Sequence, residues 1–512
     1  MSTIVRRGCI FSVTAPEPLR DFDWDPKRAR ALGEQALDMW VEFLERLPDL
    51  PVYPGLRTDE MRAAVQVDIP EEGWSDERTI EYLRRIVFEL SMYPGHPGFM
   101  AYVSGAGTVP GAVADFVAAG INQNVGGWRL GPAATEIELA LTSWLAGRFG
   151  LGEKAGGILV SGGSVANFIG LKVARDAIGG AELRSSGLSG REQMTLYTSE
   201  EVHFATTRAA DMLGFGFQGV RLVPVDADYK LDVAETARMI EADLEGGFKP
   251  LAVVASAGTV ATGAMDPLDD IADLCERHGL WFHVDAAYGG PAVLADDLRP
   301  LFSGIERADS IAFDPHKWMY TPQSGGCILV SDFDLLHKSF APLSASYIHE
   351  DKERTGRGLD LGMFGPQLSR SFWALKVWIS LLAHGTKAYG RRISHDAALA
   401  RYLDERATAR PDFEVMAPTE LSICCFRYVP EGLPKTPEAE EYLGTLNERL
   451  MADVQLDGRT YYSNAVLGGR FVLRACIVNF RTEAEHIDRL LDITAEIGNR
   501  LDAEMRPGPL RP

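Results

Sequence analysis

The chain has 512 residues, 46% of them hydrophobic, enough to bury a sizeable core and to divide into roughly two or three domains. Its 51 basic and 72 acidic side chains leave a formal charge of −21, which disfavours phosphate backbones and anionic membranes as partners and argues against nucleic-acid binding. The six cysteines (Cys9, Cys275, Cys327, Cys424, Cys425 and Cys476) show no CxxC spacing and no accompanying histidine run, so neither a metal centre nor a disulfide framework is indicated and a reducing, cytoplasmic setting is expected.

Near the start, Arg6 and Arg7 precede only a brief apolar patch broken by Glu17 and Pro18, too short for a signal sequence. No segment reaches the roughly 18 uninterrupted apolar residues of a membrane span. Residues 24 to 47 carry apolar side chains at helical spacing, and a Pro-rich bend follows at 47 to 55. Between about 99 and 378, short β-rich runs alternate with helical stretches: GILVSGG, MTLYTSE, VRLVPVD, LAVVASAGT, LWFHVDAAYG, SIAFDPHKW and CILVSD. Such alternation predicts a mostly parallel α/β sheet. From about 379 onward, amphipathic helices and the strands LSICCFRYV and RFVLRACIV predict a smaller α+β domain. The expected division is therefore 1–98 helical, 99–378 a large α/β domain and 379–512 a small α+β domain, with a frayed PGPLRP tail and no internal repeat.

Two of these segments carry chemistry. In HVDAAYGG (283 to 290) and DSIAFDPHKWMYTP (309 to 322), a short buried strand runs into a loop, placing Asp285 and Lys317 32 residues apart. Asp285 follows Trp281, Phe282 and Val284, so its carboxylate sits where an apolar strand ends and requires a cationic partner. A lysine beside a loop can form a Schiff base with the aldehyde of pyridoxal 5'-phosphate (PLP). A carboxylate on a neighbouring strand can keep the pyridine nitrogen protonated. The stretch LVSGGSVANFIGLKVAR reads as strand, glycine turn and helix starting near Ser164, where free N–H groups and close backbone approach at Gly162 and Gly163 suit a phosphate. By itself this turn would serve equally as an ordinary one with Ser164 as N-cap; the lysine and aspartate decide for phosphate.

HVDAAYGG, DPHKW, SGGSVAN (161 to 167) and YTSEEVHFATTRAADMLG (197 to 214), in this order and spacing, resemble the group II PLP-dependent amino acid decarboxylases, which include the aromatic amino acid, histidine and glutamate decarboxylases. The resemblance runs from about 20 to about 495. It implies the PLP-dependent transferase fold type I, with a seven-stranded mostly parallel sheet in the large domain. It also implies a homodimer with shared active sites, in which the N-terminal helical segment packs on the partner subunit. By the same resemblance Lys317 carries the cofactor and Asp285 pairs with its ring nitrogen. His203 lies over the ring, Ala287 offers a methyl face beneath it, and Thr259 lies near its hydroxyl. Gly163, Ser164 and His316 meet the phosphate, and Ser369 brings a backbone contact from the second subunit. Tyr347, in the polar, glycine-bearing stretch 342 to 362, corresponds to the family's mobile-loop tyrosine that protonates Cα.

The implied reaction is decarboxylation of an L-amino acid to its amine. Tyr102 matches an aromatic pocket residue and Trp128 is retained, but Val103, Ser104 and Gly126 replace bulkier groups, so aromatic substrates are favoured only in part. Three alternatives differ in chemistry: an aldehyde synthase, in which phenylalanine replaces the loop tyrosine; a fold-type I aminotransferase or desulfurase, against which the His316–Lys317 dipeptide and Tyr347 both speak; and a catalytically silent PLP-binding protein.

Overall fold

The computed structural model describes residues 19, 21–180, 182–342 and 358–510. The chain forms two compact units, Met1–Asp49 with Leu56–Ser91, and Leu50–Gly55 with Met92–Pro512.

The first unit contains α1 (Pro26–Arg46), α2 (Thr58–Val65) and α3 (Asp76–Leu83). The 24 to 47 periodicity becomes α1, which starts where Asp25 accepts from the N–H of Lys27 and a proline occupies the first turn. Arg28 grips Asp76 through two bonds of 2.8 and 2.9 Å, and the Phe43 and Phe88 rings lie 4.9 Å apart.

The second unit is built on two sheets. The larger consists of β2 (Gly156–Val160), β3 (Met194–Ser199), β4 (Val220–Val223), β5 (Lys249–Ser256), β6 (Trp281–Asp285), β7 (Ser310–Phe313) and β8 (Gly326–Val330). Each of the seven predicted runs supplies one of these strands. Their spatial order is β2-β8-β7-β6-β5-β3-β4. Only β8 runs against the rest. Helices α4 (Val109–Ile121), α5 (Pro132–Phe149) and α6 (Gly163–Gly179) belong to this unit, with α6 following β2 directly. Residues of β2, β3, β6, β7 and β8 are buried throughout, as expected for strands covered on both faces.

The smaller sheet has the order β1-β11-β12-β10-β9. It comprises β1 (Phe99–Met100), β9 (Phe413–Val415), β10 (Ile423–Tyr428), β11 (Tyr461–Leu467) and β12 (Arg470–Cys476). The predicted strands LSICCFRYV and RFVLRACIV are β10 and β12. The parallel pairing of β1 with β11 brings residues 99–100 beside residues 461–462. Among the described residues, no helix is long and apolar enough to cross a membrane, and the five described cysteines are buried and unpaired.

Candidate active site

Six strands of the large sheet point the same way, so the turns after β2, β3, β5, β6 and β7 emerge at one edge. The carboxyl ends of parallel strands are where open α/β sheets place their ligands. A cavity of about 720 Å³ opens there. Gly163 and Ser164 reach it from the turn after β2, His203 from the turn after β3, Asp285 and Ala287 from the end of β6, and His316 and Lys317 from the loop after β7. Tyr102 and Val103 complete the set of predicted residues lining this cavity.

The Lys317 Nζ lies 3.2 Å from Asp314 Oδ2, and Asp314 is buried with 2% of its side chain exposed. The Asp314 carboxylate also explains the glycine turn. A Cβ at Gly163 would fall 2.7 Å from Asp314 Oδ2 and 3.1 Å from the Ala287 methyl, so this backbone approach tolerates no side chain. With α6 starting at Gly163, the first N–H groups of a 17-residue helix face the cavity beside Ser164.

Asp285 sits at the cavity floor with both oxygens engaged. Oδ1 accepts from the N–H of Ala287 at 3.1 Å, and Oδ2 accepts from Asn167 Nδ2 at 3.0 Å. Behind Asn167, its Oδ1 lies 2.8 Å from His283 Nε2, and His283 Nδ1 lies 2.7 Å from Ser310 Oγ. His203 is the N-cap of the helix Phe204–Met212, its Nδ1 accepting from the N–H of Ala205 at 3.2 Å. Burial lowers the His203 pKa below the ordinary imidazole value while Asp285 pulls it upward. With Nδ1 occupied as an acceptor, the proton of the neutral ring resides on Nε2.

Other predicted residues lie elsewhere. Thr259 is buried in its own turn, its hydroxyl 2.9 Å from Thr262 Oγ1 and accepting from the N–H of Ala264 at 3.1 Å, and it is not part of the cavity wall. Trp128 is likewise absent from the wall; its indole donates to Glu136 at 2.8 Å and its backbone N–H to Asp360 at 2.8 Å. Gly126 is required by packing, since a Cβ there would lie 1.8 Å from the carbonyl oxygen of Leu368. Ser369 is exposed on the loop beyond, anchored by its neighbour Arg370, which forms a buried ion pair with Glu138 and donates to the Leu159 carbonyl at 2.6 Å. Tyr347 lies outside the described residues.

The sequence reading missed several residues that the fold brings to the site. Asn167 stood inside SGGSVAN and Asp314 inside DPHKW, and both carry polar side chains where apolar ones would suffice for packing. Arg474 and the β11 segment Ser463–Val466 also line the cavity and had no local signal. Arg474 is held by the carbonyls of Tyr102 at 2.9 Å and Ala261 at 3.1 Å. Among the described residues no group of acidic, histidine or cysteine side chains is placed to hold a metal ion.

Comparison with known proteins agrees with this geometry. Residues 59–429 match the pyridoxal-dependent decarboxylase conserved domain. The chain belongs to the pyridoxal-dependent decarboxylase family. Its relatives include the aromatic-L-amino-acid decarboxylase of Bacillus atrophaeus, 34% identical across 90% of this chain and 94% of that one. The cysteine sulfinic acid decarboxylase of Mus musculus is 32% identical across 84% and 88%. The crystal structure of Oryza sativa TDC with PLP and tryptamine superposes with a TM-score of 0.86 at 27% identity, covering 95% of this chain and 100% of that one. The fold is thus type I, and the enzyme is a PLP-dependent carboxy-lyase. The residues present in this decarboxylase fit the cofactor: a side-chain-free turn at a helix N-terminus for the phosphate, a buried carboxylate for the ring nitrogen, a histidine ring and a methyl group on the wall, and a lysine amine within the same cavity.

Proposed function

We propose that this decarboxylase acts on an L-amino acid, with aromatic side chains favoured, and releases the corresponding amine and carbon dioxide. The observation that carries the substrate class is the apolar part of the cavity lining, to which Tyr102, Val103, Val260 and Val466 contribute. Lys317 would hold PLP by its aldehyde, Asp285 by its ring nitrogen, and Gly163, Ser164 and His316 by its phosphate. When bound, PLP supplies an electron-accepting ring that takes up the electron pair left as carbon dioxide departs. Asp285 keeps a negative charge at the floor of the cavity, and a charge-assisted hydrogen bond of this kind contributes about 1.5–3 kcal/mol. His203 walls off one side with its proton on Nε2. Tyr347 returns a proton to the substrate Cα.

We further propose a homodimer with shared sites, Ser369 contacting the partner's cofactor. Supporting this, α4 presents Val109, Val113, Phe116, Val117 and Ile121 to solvent, and Ser369 is itself exposed. Residues 99–378 and 379–512 are assigned as the cofactor-binding and small domains, each containing most of one sheet, and residues 1–98 as the dimerisation segment. A cytoplasmic setting fits the unpaired cysteines.

The test is carbon dioxide and amine release from a panel of aromatic, acidic and aliphatic L-amino acids, with and without a keto acid. Equal amounts of carbon dioxide and amine from tryptophan, tyrosine, phenylalanine or dihydroxyphenylalanine would support the reading. Turnover confined to acidic substrates would overturn the aromatic assignment. Aldehyde as the main product would place the enzyme with the aldehyde synthases, and a requirement for a keto acid would make it an aminotransferase.

A further inference from the structure

Trp281 Nε1 donates to Ser310 Oγ at 2.8 Å, beginning a buried series that runs through His283 and Asn167 to Asp285. Every member is buried. The two ends decide the direction of every bond between them. An indole N–H can only donate, and an ionised carboxylate can only accept. Ser310 Oγ, already accepting from Trp281, has its own proton free for His283 Nδ1. Because Asn167 commits its Nδ2 to Asp285, its Oδ1 faces His283, so the neutral His283 ring carries its single proton on Nε2, donates to Asn167 Oδ1 and accepts at Nδ1. That bond holds the Asn167 amide with oxygen toward His283 and nitrogen toward Asp285. The Nδ2 hydrogens are used on Asp285 Oδ2 and the Gly163 carbonyl, both at 3.0 Å.

We propose that His283 and Asn167 are positioning residues for the decarboxylation: the Trp281–Ser310–His283–Asn167 series locks the Asn167 amide so that it presents a donor, never an acceptor, to Asp285. An amide rotated by half a turn would set a carbonyl oxygen against the carboxylate and favour its protonation. Asp285 protonated could no longer hold the ring nitrogen of PLP in its cationic form. The imidazole is suited to this task because burial holds its pKa down to about 4, so it stays neutral with one donor and one acceptor at physiological pH. A second consequence concerns the phosphate turn. The same Asn167 nitrogen ties the Gly163 carbonyl, so one amide couples the anionic floor to the phosphate cradle.

The test begins with 15N NMR of the holoenzyme labelled on its histidines, the His283 signal being assigned by its loss in His283→Gln. The expected state at pH 7 is a neutral ring with its proton on Nε2. A proton on Nδ1, or on both nitrogens, overturns the proposal whatever the variants do. Ser310→Ala removes the proton donated to Nδ1, and Asn167→Asp replaces the donor facing Asp285 by an acceptor. Both should lower kcat by on the order of tenfold or more, the effect of losing an outer-shell partner that orients a reacting group. KM should stay within about twofold, because substrate contacts are unchanged. The absorption band of the bound cofactor should shift in Asn167→Asp. If these variants lose only thermal stability while kcat, the His283 tautomer and the absorption band stay as in the wild type, the series is merely structural and the proposal fails.

Discussion

Trp318 Nε1, in the residue next to Lys317, donates to Asp396 Oδ2 at 3.0 Å. Asp396 lies on the helix Thr386–Thr408 and is fully buried. It also accepts from the Tyr320 hydroxyl at 2.6 Å and from Arg392 Nε at 2.8 Å. The loop that carries Lys317 is therefore fastened to a helix far along the chain by a single carboxylate. Burial raises the pKa of Asp396 and Arg392 opposes that rise, so the ion pair and the two hydrogen bonds stand together.

Asp396→Ala leaves the Trp318 and Tyr320 donors without this acceptor and takes from Arg392 its buried carboxylate, while Glu483 and the Asn479 and Thr482 carbonyls remain. Removing one partner of a buried pair costs about 3–5 kcal/mol, and a loss of that size is expected in denaturant unfolding of the apoprotein. A change below about 1 kcal/mol, the worth of a surface pair, would show that the carboxylate is dispensable.

The glycine turn gives a second expectation. In Gly163→Ala the new methyl group meets Asp314 Oδ2 and the Ala287 methyl at 2.7 and 3.1 Å, and Asp314 is buried against Lys317 with little room to retreat. Forced overpacking costs about 1–3 kcal/mol, which in cofactor affinity is roughly one to two decades. Titration of the apoenzyme with PLP measures this directly. Undiminished affinity would mean that the turn does not hold the phosphate.

A third concerns pH. Burial holds the His283 imidazole down to about 4, against 6.5 for an open chain. The unfolded chain thus binds a proton between those values that the folded one refuses. The stability tied to His283 is complete above pH 6.5 and is lost as pH falls toward 4, by on the order of 3 kcal/mol. His283→Gln, which keeps a donor toward Asn167 but cannot be protonated, should flatten the decline in unfolding free energy between pH 6.5 and 4.5. An identical slope in the two proteins would contradict the assignment.

Much of this site was legible because its residues sit in local patterns. A β-run that ends in Asp-Ala-Ala or Asp-Pro-His-Lys shows an apolar strand stopping at polar groups, and Asp285 and Lys317 fall where that pattern puts them. Thr259 was equally conspicuous, yet its hydroxyl is used inside its own turn by Thr262 and Ala264, a bond between near neighbours that no spacing rule distinguishes from one to a ligand. Arg474 and β11 were invisible for the opposite reason. They come to the cavity only through the small sheet, and nothing in YYSNAVL or in Arg474 marks a ligand site locally. Asn167 lay in plain view, but its role depends on His283 and Ser310, more than a hundred residues away in sequence.

The proposed reaction outcome depends on Tyr347. If its phenol returns the proton to Cα, Tyr347→Phe should lower amine formation by about the 10²–10⁴-fold expected for a lost general acid. The product mixture under air should move toward aldehyde, ammonia and peroxide. Assaying amine, aldehyde and carbon dioxide from the same substrate in both proteins decides it. Amine at an unchanged rate in the variant would remove this tyrosine from proton transfer.

Among the described residues, strand β2 lies at the edge of the large sheet with β8 as its one strand neighbour, so residues 156–160 pair with 326–330. The glycine turn that follows β2 therefore waits, during synthesis, for a strand made some 170 residues later. Pairings of such long sequence separation form slowly, since the loop must close before the contact rewards it. A nascent chain ending before Gly326 has the lysine, the aspartate and the glycines already in hand, but lacks the strand that pairs with β2. The glycine turn at the end of β2 is thus set into the sheet only after most of the large sheet's sequence has been made.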